Sequence, residues 1–192
     1  MLSGLFNLPK DGAGEPLERA FRGPGQAPKP LVVRLRDNSG VIVFQEFETK
    51  TGGRLDTLDI TDEVVQTLAG SGVEEGSVLV FSPHTTCCVL LATPGPETRD
   101  ALQSTLDRLA PEDAYYAHDD LTVRTQNLVD DEPANAPAHI FQVLAGKASE
   151  CIPVAAGELV LGPTQRVLFV ELDSSRERRY CIQVLGNGSR ST

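Results

Sequence analysis

The sequence predicts a mixed α+β chain dominated by β-structure. Two nearly continuous apolar runs, Ser77 to Phe81 and Cys87 to Ala92, are too short for buried helices and read as central strands buried on both faces. Shorter apolar or alternating runs lie on either side of them. Only three segments carry apolar residues at helical spacing.

Taken in order, residues Met1 to Pro30 hold Pro9, Pro16, Pro24, Pro28 and Pro30 among several glycines. That density of breakers predicts a loosely ordered or surface-packed extension, with a single domain over residues 31–192. Leu31 to Arg36 and Val41 to Glu48 flank Asp37-Asn38-Ser39-Gly40, a hairpin signal. Asp56 to Ile60 makes a short third strand. Thr61 offers an N-cap, Asp62 and Glu63 suit a first helical turn, and Val64, Val65 and Leu68 form an apolar stripe that Gly70 stops.

After the two apolar runs, Thr93-Pro94-Gly95-Pro96 breaks the chain before a helix over Glu97 to Ala110, which Pro111 ends. The polar stretch from Glu112 to Pro137 is long for a loop in a compact domain, and such loops usually do something. A short helix from His139 to Gly146 follows. Strands are expected at Glu150 to Val154, Val167 to Leu172 and Arg179 to Leu185, with a short one within Gly157 to Gly162.

Composition narrows the function. A formal charge of −10 argues against general affinity for nucleic acid or an anionic membrane. No apolar run approaches the roughly 20 residues that span a bilayer. The start lacks the basic, uninterrupted apolar pattern of a signal peptide, so a cytoplasmic protein is expected. Cys87, Cys88, Cys151 and Cys181 lie in apolar runs without Cys-x-x-Cys spacing, so buried reduced thiols are expected.

Only three histidines occur, His84, His118 and His139. They either share one polar site or are placed separately, one near a strand, one on a loop and one near a helix start. His84 precedes Thr85 and Thr86; His118 follows Tyr115-Tyr116-Ala117 and precedes Asp119 and Asp120; His139 ends Asn135-Ala136-Pro137-Ala138. With the Leu106 to Asp113 helix end, the Ile152-Pro153-Val154 strand and the Leu161-Gly162-Pro163-Thr164-Gln165 turn, this order of motifs resembles the YjbQ-like family. Its members are often labelled secondary thiamine-phosphate synthase enzymes. The resemblance covers roughly residues 31–186.

That resemblance implies a β-sandwich with flanking helices, assembled as a homotrimer, its polar motif residues meeting in a pocket near the subunit interface. It marks His84, Thr85, Thr86, His118, Asn135, His139, Gln165 and Glu171 as site residues, with Gly162 and Arg178 beside them. There are departures. Cys87 and Cys88 replace small residues, the loop around Leu121 to Asp130 is longer, and Gly162-Pro163-Thr164-Gln165-Arg166 lacks the family's tryptophan.

Two imidazoles and a carboxylate would suit a divalent cation, zinc or magnesium, with His118 and His139 as ligands and His84 or Asp119 as a third. The same groups without metal would work as general acid and base. Arg176, Arg178 and Arg179 would neutralise a phosphate or simply form a solvated turn, and Asp119 and Asp120 would equally be ordinary loop carboxylates. The sequence shows neither a glycine-rich phosphate loop nor a paired-carboxylate motif, so thiamine-phosphate synthesis is expected as a weak side activity on a small anionic or phosphorylated substrate. The alternative is a non-enzymatic trimeric module that binds a metabolite or metal.

Overall fold

The computed structural model describes residues 31–34, 40–128, 133–144 and 146–188. The expected extension over residues 1–30 and the turn at residues 37–39 lie outside them.

Two antiparallel sheets form a sandwich. The larger has the order β1 (Leu31–Arg34), β2 (Val41–Lys50), β9 (Glu177–Gly188), β4 (Val73–Phe81), β6 (Ser149–Ala155), β7 (Glu158–Leu159); the smaller is β3 (Thr57–Asp59), β8 (Arg166–Glu171), β5 (Cys87–Ala92). The inward row Val43, Val184, Val78 and Ile152 runs in register across four strands. It packs with Val64 and Leu68 of α1 (Thr61–Ser71) against Cys87, Val89, Val167 and Phe169 of the smaller sheet. The other face of that sheet, with Cys88, Leu168 and Val170, lies under Leu106 of α2 (Pro96–Leu109) and Ala138 and Phe141 of α3 (Ala136–Leu144).

This layering corrects the view of the two apolar runs as equivalent. β5 is an edge strand, yet Cys87, Cys88 and Val89 are buried because a core lies on each side. β4 is central but alternates, with Val78 and Val80 buried and Phe81 40% exposed. On the outer face, Phe44, Gln183, Leu79 and Cys151 form one cross-strand row, and Glu46, Cys181, Phe81 and Ser149 the next. The described core clusters hold almost none of these side chains. Cys151 is exposed there, against expectation, while the other three thiols are buried.

The helix ends also shift. Thr61 is the first helical residue, and the cap acceptor is Asp59 Oδ1, which takes the Thr61 N–H at 3.0 Å and its hydroxyl at 2.6 Å. Thr61 Oγ1 in turn accepts from Val167 N–H at 2.8 Å, tying α1 to β8. Gly70 lies inside the helix, and Gly72, with φ at 69°, closes it in the left-handed region that glycine tolerates best. α2 starts on Pro96, whose missing N–H costs nothing at that place.

Candidate functional site

β8 carries the marked residues apart. Glu171 ends it, next to the start of β5 and the His84-Thr85-Thr86 turn, since Cys87 pairs with Glu171. Gln165 immediately precedes its other end, roughly 20 Å away at about 3.3 Å per residue. There Gln165 Oε1 accepts from Gly162 N–H at 2.8 Å and closes a turn. Within one chain, Gln165 and Gly162 are therefore separate from the other marked residues.

At the Glu171 end sits a buried ion pair. Arg178 Nε donates to Glu171 Oε2 at 2.6 Å and Nη2 to Oε1 at 2.7 Å, the side chains being 6% and 0% exposed. Thr51 Oγ1 and Asp173 N–H also donate to the carboxylate, and Arg178 Nη2 reaches Thr86 Oγ1 at 3.1 Å. Burial alone would raise the Glu171 carboxyl, but the arginine, the Asp173 amide and Thr51 outweigh it and hold it below the usual range. A carboxylate so enclosed has no face for a substrate. Glu171 and Thr86, both expected as site residues, lie here inside this buried hydrogen-bonded group. The Cys87 thiol beside them is pushed up by burial and by the Glu171 charge, which disfavours the thiolate.

His84 also faces protein. Its Nε2 accepts the Arg179 backbone N–H at 2.9 Å, which places its proton on Nδ1. Burial first, then the Arg178 and Arg179 charges, lower its pKa and keep it neutral. Thr85 is exposed on the same turn.

The remaining marked residues gather around α3. Asp119 Oδ1 accepts from the N–H groups of Asn135, at 3.1 Å, and Ala136, at 3.0 Å, so a carboxylate from the preceding loop caps the helix. This cap starts α3 three residues before the expected His139. The same oxygen lies 2.8 Å from His118 Nδ1. On the far side of that ring, Arg124 Nη1 lies 3.1 Å from Nε2 and also donates to the His118 carbonyl at 3.2 Å. The His139 ring sits against it, centroids 4.7 Å apart and planes tilted by 47°. Asn135 is buried and donates from Nδ2 to Asp173 Oδ2 at 2.9 Å, an oxygen that also takes Arg176 Nη2 at 2.7 Å.

The sequence reading missed Asp173 and Arg124. Asp173 lies two residues past Glu171, where alternation makes it a neighbour of the same turn; Arg124 gave no signal in an aperiodic loop. Arg178 is spent on Glu171, while Arg179, 42% exposed, lies 3.4 Å from Glu46 at the surface.

The expected metal set is not assembled. Among the described residues, no three of His, Cys, Asp or Glu are placed to share an ion. His84 Nε2 is taken by a backbone donor, Asp119 Oδ1 by three partners, and His118 Nε2 faces a guanidinium. These donors do not fit a divalent ion as folded. What they can do is bind an anion beside Arg124 and pass a proton through a partly buried imidazole held by a carboxylate.

This fold and motif set are a family's. The model of the UPF0047 protein YjbQ-like family matches residues 45–187, and the chain belongs to that family. Among relatives, a UPF0047 protein of Methanothermobacter thermautotrophicus is 34% identical over 145 residues, 76% of this chain and 93% of its own length. A YjbQ-like protein of unknown function from Sulfolobus solfataricus has a similar solved structure, with a TM-score of 0.67, 27% identity and coverage of 77% and 99%. A hypothetical protein of Aeropyrum pernix gives 0.63 at 31% identity, covering 75% and 98%.

Proposed function

We propose that this chain is an enzyme acting on a small anionic or phosphorylated substrate, with His118 as general acid–base and thiamine-phosphate synthesis as a weak side activity. The observation that carries this reading is the His118 ring, with Asp119 at Nδ1, Arg124 at Nε2 and His139 beside it. A carboxylate on one nitrogen fixes the ring and its tautomer and leaves the other nitrogen for proton transfer. An arriving anion would draw the Arg124 guanidinium onto itself and uncover Nε2 for the substrate.

The chain works as a homotrimer in the cytoplasm. The outer face of the larger sheet, with Phe44, Leu79, Phe81 and Cys151 in adjoining rows, supplies an apolar surface that a neighbouring subunit would cover. Free cysteines, three of them buried, suit a reducing compartment. No described helix is long and apolar enough to cross a membrane.

A second reading, a non-enzymatic metabolite-binding module, is favoured by the lack of an activated nucleophile among the described residues: burial pushes Cys88 up to about 12, and the sequence holds no Gly-x-Ser-x-Gly elbow. A thermal-shift panel of small phosphorylated metabolites, followed by mass analysis of each hit, separates the two. Enzyme action predicts a hit that is consumed, with turnover falling about 100-fold or more in His118→Ala. A hit recovered unchanged after long incubation would favour the module.

A further inference from the structure

We propose that Arg124 is an autoinhibitory stopper on His118: the resting chain keeps the guanidinium on Nε2, and an oxyanion that takes the guanidinium away switches the imidazole on. This deepens the acid–base reading of His118 and rests on it. A guanidinium has only donors, so Nε2 accepts from Arg124 Nη1 at 3.1 Å and the ring proton lies on Nδ1, toward Asp119. A lone pair engaged in that way cannot take a proton from a substrate. The nitrogen that the acid–base role needs is the one the chain itself occupies.

Both His84 and His118 have Nε2 occupied, but by opposite kinds of donor. At His84 the donor is the Arg179 backbone N–H, which is fixed in β9 and leaves only if the strand does. At His118 it is the tip of a long side chain on a surface loop, where residues 121–123 and 125–128 are exposed and Arg124 is half-buried. The turn that carries Arg124 is closed without that tip. Arg124 N–H donates to the Asp120 carbonyl at 2.8 Å, and Thr122 donates to Asp120 Oδ1 from its N–H at 2.9 Å and its hydroxyl at 2.6 Å. The Tyr115 hydroxyl holds the other Asp120 oxygen at 3.0 Å. The guanidinium, which also donates to the His118 and Asn127 carbonyls, can therefore swing while the backbone stays in place. An oxyanion offers it two parallel charge-assisted bonds, which a single imidazole nitrogen cannot match. The device selects substrates. An anionic one brings its own key, and a neutral one meets a capped base unless a separate oxyanion is present.

Carbethoxylation by diethyl pyrocarbonate reads this without a substrate, because the reagent attacks an imidazole lone pair and mass analysis of peptides separates His84 from His118. Sulfate is the probe: at neutral pH it only accepts, so it cannot replace Arg124 as the donor on Nε2. In the wild type, sulfate should speed modification of His118 about tenfold over chloride at equal ionic strength, the equivalent of one hydrogen bond to a charged group. His84 should stay slow in both salts. In Arg124→Ala, His118 should react fast in chloride and show no sulfate effect. Wild-type His118 that reacts no faster in sulfate overturns the proposal, and so does a slow His118 in Arg124→Ala with His84 still protected. If His84 becomes reactive in that variant, the fold has gone, and the wild-type comparison decides alone. A failed acid–base role would appear as undiminished turnover in His118→Ala and leave the sulfate effect standing, so the two failures are distinct.

Discussion

Removing Arg178 would strand the Glu171 carboxylate in a fully closed pocket, and that single consequence ranks the marked residues. Losing one partner of a buried pair typically costs about 3–5 kcal/mol, because the remaining charge has no water to replace it. Arg178→Leu should therefore lower unfolding free energy by that order in urea titration. A loss under about 1 kcal/mol would mean that Glu171 finds other support. His84 gives a second test. The unfolded imidazole titrates near ~6.5, while burial and the Arg178 and Arg179 charges lower it in the fold. As pH falls, the unfolded chain takes the proton first, so stability is full above about 6.5 and declines as pH drops toward the folded value. His84→Gln should flatten the melting temperature across that window; an identical slope would contradict the role given to the Arg179 contact. The sequence told which residues were uncommon but not which were enclosed. Glu171 and Thr86 are marked as site groups by the family resemblance, and only the sheet register reveals that Arg178 comes from β9 to fill them.

At the scale of elements, Asp119 does two jobs, capping α3 and holding His118. Asp119→Ala frees two N–H groups and should cost about 1–2 kcal/mol, with faster hydrogen exchange at Asn135, Ala136 and the following turn. Unchanged exchange there would show that the cap is dispensable. The strands and the existence of each helix were legible, because alternation and 3.6-residue spacing are local properties. The helix starts were not. Asp59 caps α1 from the preceding strand, and Asp119 caps α3 from sixteen residues upstream of its first contact at Asn135, which no window on the helix itself includes. Gly70 and Gly72 are both plausible stops, and only the left-handed backbone at Gly72 selects between them. The register also separates Gln165 from Glu171 by the length of β8, a distance invisible in a motif read as one string.

At the scale of the whole molecule, the outer face of the larger sheet, left open by the described residues, makes assembly measurable. Sedimentation at micromolar concentration should give three times the 20.6 kDa chain mass, and Leu79→Glu with Phe81→Glu should give the monomer. A wild-type monomer would overturn the trimer. Elemental analysis of protein purified without chelator should find far less than one divalent ion per chain, since His84 Nε2 takes a backbone N–H and both His118 nitrogens face protein partners. One ion per chain, lost in His139→Ala, would contradict that.

The most direct test of His118 as the working group is growth of a strain that requires thiamine phosphate. Wild type should rescue it weakly, and His118→Ala, accumulated to the same level, should not. Rescue undiminished in His118→Ala would contradict the account.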